Sequence, residues 1–206
     1  MMIEIHSILE AESALRDVDA AVFDLDDTLY PEKAYVRSGY DAVAALFPQV
    51  PDMAARLWAA FANGQPAIDA VLAACGLFEH KNEALRAYRR QIPQIELYPG
   101  VREMLRRLRE TKKLALITDG RPEGQRAKIA ALSLEELFDE ILITDELGGA
   151  AFRKPCSAAF ERVHDRLGIP FERMAYVGDN IQKDFIAPEK LGMRCVWFRN
   201  PDGLYY

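Results

Sequence analysis

The feature that most constrains the fold of this chain is a short run of aliphatic and β-branched residues that recurs five times. Short apolar runs bounded by turn or polar residues are typical of buried strands. The runs are AAVFDL at 20–25, KLALIT at 113–118, EILIT at 140–144, MAYVGD at 174–179 and RCVWF at 194–198. Helical patterns separate the later runs, and this alternation favours right-handed crossovers and a parallel sheet covered on both faces.

Two of the connecting segments carry apolar residues at helical spacing. The first begins after the Pro99-Gly100 break, and the second follows Ser157, which we expect to cap its N-terminus. Their apolar positions are Val101, Met104, Leu105 and Leu108 in the first, and Phe160, Val163 and Leu167 in the second. Both patterns fit amphipathic helices packed against a sheet.

The connection between the first two predicted strands is too long for a single crossover. Residues 31–98 hold no strand pattern but several helical ones, the last formed by Leu85, Tyr88 and Ile92. We therefore predict an α/β protein, in which a three-layer parallel-sheet (Rossmann-like) core carries an inserted all-α helical cap. The core would comprise residues 1–30 and 99–206, and the cap residues 31–98.

The composition narrows the class of protein. Half of the residues are hydrophobic and 28% are charged, which is ordinary for a globular protein. No apolar run reaches the ~18 residues of a membrane span, and the N-terminus lacks the pattern of a secretory signal. The net charge of −6 argues against a nucleic-acid surface. We expect a cytoplasmic protein, monomeric or homodimeric, that binds neither membrane nor nucleic acid.

Polar and acidic residues follow the ends of the predicted strands. In open parallel sheets, ligands bind beyond the carboxyl ends of the strands, so these residues are candidates for one site. They are Asp24 and Asp26 after the first strand, Thr118, Asp119 and Gly120 at the second, Lys154 before a later helix, and Asp179 with Asp184 after the fourth.

These residue types suit one chemistry in particular. Clustered carboxylates need a cation, and oxygen ligands with open positions suit Mg²⁺. A hydroxyl, backbone N–H groups and an ammonium form a cradle for a phosphoryl group. Carboxylate attack on phosphorus is an established form of covalent catalysis. The pattern therefore indicates a Mg²⁺-dependent site for a small phosphorylated metabolite.

The spacing within the first acidic stretch separates its three members. In an extended segment, residues two apart point the same way, so Asp24 and Asp26 can share a site while Asp27 faces elsewhere. One acid of the pair can attack, and the other can carry a proton to the leaving oxygen and later take one from water. We expect Asp27 to serve only the local structure.

Four segments together resemble the ordered motifs of the haloacid dehalogenase-like hydrolase superfamily. They are DLDDT at 24–28, ITDG at 117–120, RKP at 153–155 and GDNIQKD at 178–184. The match extends from residue 20 to about residue 198. The branch that the chain resembles contains phosphatases with a helical cap inserted between the first and second motifs.

The resemblance implies a role for each matching residue. Asp24 would be the nucleophile and Asp26 the general acid and base, whose backbone carbonyl also reaches the metal. Asp179 would ligate Mg²⁺, and Asp184 would bind the metal or its waters. The remaining positions would hold the phosphoryl group: Thr118, the backbone of Asp119 and Gly120, and Lys154, which would also neutralise the nucleophile.

Two positions depart from the family pattern. The family often has Asn where this chain has Asp119, which should matter little if only the backbone acts there. Pro188 falls where small residues are usual, and a helix tolerates it only in its first turn.

The motifs leave other functions open. A phosphomutase needs the same core, and a receiver-like signalling domain also brings Asp, Thr and Lys to one sheet edge without catalysis. The large insertion disfavours a receiver domain, and Asp26 disfavours dehalogenation, because the dehalogenase branch lacks this second acid. The sequence favours a phosphatase for a small phosphate monoester, of sugar phosphate or nucleoside monophosphate type.

Overall fold

A single parallel sheet of six strands forms the centre of the fold in the computed structural model, which describes residues 2–204. The strands are β1 (Met2–Ile5), β2 (Ala20–Phe23), β3 (Lys113–Thr118), β4 (Glu140–Ile143), β5 (Met174–Gly178) and β6 (Arg194–Phe198). Their order across the sheet is β1-β6-β5-β2-β3-β4. The predicted α/β class with a parallel, Rossmann-like sheet is confirmed.

The structure adds a strand that the sequence pattern did not indicate. Strand β1 pairs in parallel with β6 at the edge of the sheet, with Met2 opposite Cys195 and Ile5 opposite Phe198. The prediction of five strands was therefore wrong by one. The MIEI segment contains a charged residue and is four residues long, so only its pairing with β6 identifies it as a strand.

Nine α-helices accompany the sheet in the described residues. They are α1 (Ala11–Ala14), α2 (Glu32–Ala44), α3 (Met53–Ala62), α4 (Ala67–Ala74), α5 (Lys81–Arg90), α6 (Val101–Arg109), α7 (Pro122–Ala131), α8 (Ala158–Leu167) and α9 (Ile186–Leu191). None of the helices in residues 2–204 is long and apolar enough to cross a bilayer.

Three local predictions, for Ser157, Ile92 and Pro188, have different outcomes. Ser157 stands at the N-cap of α8 but makes no capping hydrogen bond, because its backbone is already helical. Ile92 lies outside α5 and is 83% exposed. It precedes Pro93, and a residue before proline is disfavoured in helical conformation. Pro188 lies within the first turn of α9, where it is tolerated.

The chain divides into two compact units, with boundaries between Glu32 and Lys33 and between Ile95 and Glu96. The larger unit contains the sheet, and its core packs β-strand residues such as Val22, Ile117 and Tyr176 against α8. The smaller unit is helical, with its own apolar core around Tyr40, Leu57 and other residues. Interpretation of the smaller unit as a cap, and of 31–98 as its extent, stays a prediction.

Candidate active site

The three central strands bring the predicted site residues together. Strand β2 lies between β5 and β3, and the parallel register places their carboxyl ends at one edge of the sheet. Asp24 follows β2 directly, Thr118 ends β3, and Asp179 follows β5. The backbone N–H of Asp24 donates to the carbonyl of Val177 at 2.9 Å, which extends the pairing to the site itself.

Three buried carboxylates form the centre of this site. Oxygen atoms of Asp24, Asp179 and Asp184 lie within 4.8 Å of one another. Asp184 comes close because Gly178 has no side chain, since a Cβ there would lie 2.6 Å from the Oδ2 atom of Asp184. The Thr28 hydroxyl lies 3.4 Å from both Asp24 Oδ2 and Asp179 Oδ1.

Lys154 is the cation that faces these acids. Its ammonium is fully buried and donates to Oδ1 of Asp24 and, at 2.8 Å, to the hydroxyl of Tyr176. It also lies 2.8 Å from Oδ1 of Asp184. These two acids keep the pKa of Lys154 well above its usual value in spite of burial, which acts in the opposite direction.

One lysine does not balance the negative charge of the three acids. Burial and repulsion from Asp184 raise the pKa of Asp24 to about 7, although Lys154 lowers it. Burial and the charges of Asp24 and Asp184 raise the pKa of Asp179 to about 9. Both raised pKa values mean that, without a further cation, the protein disfavours the charged form of these two carboxylates.

The donor set fits a hard divalent cation. All three side chains offer oxygen, and Oδ1 of Asp184 accepts no hydrogen bond, although the Lys154 ammonium lies 2.8 Å away. Three buried carboxylates that share one such ammonium are costly unless a further positive charge meets them. Oxygen-only ligands with raised pKa values are those that Mg²⁺ would satisfy.

Asp26 lies in a different environment from Asp24. Its Oδ1 accepts from Lys128 Nζ at 2.7 Å and from the Tyr30 hydroxyl, and its Oδ2 accepts from Gln125 Nε2 at 2.9 Å. Burial raises the pKa of Asp26, but the charge of Lys128 and the three donors outweigh it and hold the pKa below its usual value. In the protein without metal, the pKa of Asp24 is thus raised and that of Asp26 is lowered, so the two acids lie in opposite electrostatic environments.

The residues predicted to form a phosphoryl cradle lie near one another. The buried hydroxyl of Thr118 accepts from Gln125, and Gly120 has a φ of 135°, a backbone conformation that favours glycine. The carboxylate of Asp119 accepts from the backbone N–H of Lys154 and from the Thr144 hydroxyl, both at 3.0 Å. The Asp119 side chain thus connects two loops, and the expectation that Asp in place of Asn matters little here stays a prediction.

Asp27 is buried with its backbone in the left-handed region at φ 55°. Its carboxylate accepts from the backbone N–H groups of Glu32 at 2.8 Å and Leu204 at 2.7 Å. Its carbonyl accepts from the Asn200 side chain at 2.8 Å. The bond to Glu32 gives Asp27 the local structural role that we expected. The expectation that it serves only the local structure was wrong, because Asp27 also binds Asn200 and Leu204 in the segment after β6.

The sequence interpretation missed several side chains of the site: Tyr30 as a partner of Asp26, Gln125, Lys128, Tyr176 and Lys183. Lys183 lies 3.1 Å from the Asp119 carboxylate. The sequence did contain an indication for Gln125 and Lys128, because both lie on the face of α7 that carries the buried Ile129. Polar residues at core-facing positions of a helix call for a buried partner.

Curated proteins similar to this chain include two phosphatases. The chain is 32% identical over 114 residues to the glyceraldehyde 3-phosphate phosphatase of Pyrococcus abyssi, covering 55% of this chain and 44% of that enzyme. It is also 32% identical over 165 residues to the phosphoserine phosphatase of Thermus thermophilus, covering 77% and 64%. The matched segments thus span less than two thirds of either relative.

Solved structures share the fold at low sequence identity. A HAD-superfamily hydrolase of subfamily IA from Geobacter sulfurreducens superposes with a TM-score of 0.70 at 18% identity, covering 90% of this chain and 89% of that one. The HAD-hydrolase YfnB from Bacillus subtilis, whose crystal structure contains magnesium, gives 0.63 at 21% identity, covering 88% and 87%. Residues 18–192 match the haloacid dehalogenase-like hydrolase family, and this chain belongs to that family.

Proposed function

We propose that this protein is a Mg²⁺-dependent phosphatase that hydrolyses a small phosphate monoester, of sugar phosphate or nucleoside monophosphate type, through an aspartyl-phosphate. The observation that carries the proposal is the contrast between two acids two residues apart. Asp24 faces Lys154 and two further carboxylates, whereas Asp26 is held by three donors of its own. The phosphatase names of the relatives support the same reaction class.

In this proposal, the phosphoryl group of the substrate binds against Lys154, the Thr118 hydroxyl and the backbone of Asp119 and Gly120. Lys154 and the cradle N–H groups stabilise the charge on the phosphoryl oxygens as the transition state forms. The contact between Asp119 and the Lys154 backbone keeps the cradle and the lysine at a fixed separation.

Mg²⁺ would be held by the carboxylates of Asp24, Asp179 and Asp184 and by the backbone carbonyl of Asp26. Its positive charge would offset that of the carboxylates and of the phosphoryl oxygens, so that an anionic nucleophile can approach an anionic substrate.

The chemistry would then proceed in two displacements. An oxygen of Asp24 forms a bond to phosphorus while the bond between phosphorus and the oxygen of the leaving alcohol breaks, and the alcohol oxygen departs with the electron pair. Asp26, in its acid form, gives the leaving oxygen a proton. In the second step, water attacks phosphorus, Asp26 takes a proton from the water, and phosphate departs from a regenerated Asp24.

A panel of phosphate monoesters, assayed for released inorganic phosphate with and without Mg²⁺, tests the proposal. We expect Mg²⁺-dependent release, which Asp24→Asn abolishes. Asp19→Asn is the matched control, because it makes the same change at the other end of β2 in an exposed ion pair with Arg173. Undiminished turnover by Asp24→Asn would contradict the mechanism, and phosphate retained on an isomeric product would identify a phosphomutase.

A further inference from the structure

We propose that Lys128 is a positioning residue, which aims the Asp26 carboxylate toward the reacting oxygen. The inference rests on the proposed function, because a positioning role has meaning only if Asp26 exchanges protons with substrate and water. It adds to that function a residue outside the four family-like motifs, 102 positions along the chain from Asp26.

The contacts around Asp26 fix both of its oxygens. Lys128 Nζ lies 2.7 Å from Oδ1, and the Lys128 side chain is only 6% exposed. Gln125 occupies Oδ2 at 2.9 Å, and the Tyr30 hydroxyl shares Oδ1. A carboxylate with donors on both oxygens cannot rotate without losing a hydrogen bond, so its direction is set by these neighbours.

The arrangement also links Asp26 to the phosphoryl cradle. Gln125 and Lys128 lie three residues apart on α7 and so project from one face of the helix. The Gln125 amide donates to Thr118 as well as to Asp26. Helix α7 therefore places the acid and the cradle hydroxyl relative to each other, and Lys128 completes the hold on the acid.

Stability alone is a weak reason for a buried lysine at this position. Replacing a buried ion pair with well-packed apolar residues is often neutral or stabilising. Removing Lys128 alone would leave the Asp26 carboxylate without its cation, so the folding of a Lys128 variant is checked by circular dichroism before its kinetics are compared. The ammonium of Lys128 can fix the direction of the Asp26 carboxylate, and a methyl group cannot. A small misplacement of a catalytic group can cost about 10²-fold in rate.

A double-mutant cycle tests the inference, with Lys128→Met, Asp26→Asn and the pair measured as kcat and KM. The probe is the alkyl phosphate that the panel shows to be hydrolysed fastest, because its alkoxide leaving group needs a proton, and high enzyme concentration keeps slow variants measurable. Lys113→Met is the control, because it removes a lysine that lies 2.9 Å from Asp139 at the opposite end of β3.

We expect Lys128→Met to lower kcat by about 10²-fold with KM nearly unchanged, and to have no further effect when Asp26 is already Asn. Equal losses in both backgrounds would assign Lys128 a structural role and overturn the inference, as would wild-type kcat in Lys128→Met. If wild type and the Lys113→Met control both fail to hydrolyse every phosphate monoester of the panel, the proposed function fails instead.

Discussion

Replacing Lys154 with Met tests the charge balance of the site most directly. The Lys154 ammonium is fully buried between Asp24 and Asp184. Removing one partner of a buried ion pair typically costs about 3–5 kcal/mol. For a chain of this length each kcal/mol lowers the unfolding temperature by about 2–4 °C, so a loss of roughly 6–20 °C is expected near pH 8.

The loss should depend on pH in a defined direction. The pKa of Asp24 is raised to about 7, so the folded protein binds more protons than the unfolded chain above about pH 4, and ionisation of Asp24 destabilises it as the pH rises. Removing Lys154 removes the charge that lowers this pKa, which strengthens the penalty at high pH. At about pH 5 the carboxyls of Asp24 and Asp179 are protonated, and the variant should lose much less stability.

Thermal unfolding of the metal-free protein, followed by circular dichroism near pH 5 and pH 8, measures both effects. Lys113→Met serves as the control, because its exposed pair with Asp139 should contribute about 0–1 kcal/mol. An unchanged unfolding temperature in Lys154→Met at pH 8, or an equal loss at both pH values, would refute the reasoning.

Three further changes test other parts of the site. The pKa values of about 7 for Asp24 and 9 for Asp179 predict that the unfolding temperature of the metal-free protein falls from about pH 5 to pH 9 and recovers with Mg²⁺; a flat pH profile would contradict this. Gly178→Ala puts a Cβ 2.6 Å from Asp184 Oδ2, which displaces this carboxylate. Steady-state assays should then show at least about a tenfold loss of Mg²⁺-dependent activity. Full activity in this variant would mean that Asp184 can move freely. Asp119→Asn keeps an acceptor for the backbone N–H that it binds, so kcat should change by less than about fivefold, and a larger loss would show that the charge itself is required.

Much of the fold follows from local sequence. The apolar runs that form β2, β3 and β5 are buried on both faces of the sheet. The local sequence of each run is therefore enough to predict a strand. The acids that follow them are then placed by topology alone, because parallel strands end at one edge. This is why Asp24 and Asp179 could be assigned to one site from the sequence.

The remaining features depend on contacts between distant segments. Strand β1 is identified only by its partner β6, and nothing in the local pattern distinguishes Lys128 from a surface lysine except its place on a core-facing side of α7. The helical pattern through Ile92 failed for a local reason, the restriction imposed by Pro93. Contacts with distant segments are therefore needed to recognise both the edge strand β1 and the buried Lys128.

The position of β2 between β3 and β5 has a consequence for how the protein reaches its active form. Residues 20–28 are synthesised early, yet their neighbours in the sheet and around Asp27 come from residues 113–118, 174–178 and 200–204. Pairings between such distant segments form slowly, because the intervening chain must be ordered first. Recovery of catalysis during refolding should therefore lag behind recovery of helical signal, and enzymatic activity would report the final stage of chain assembly.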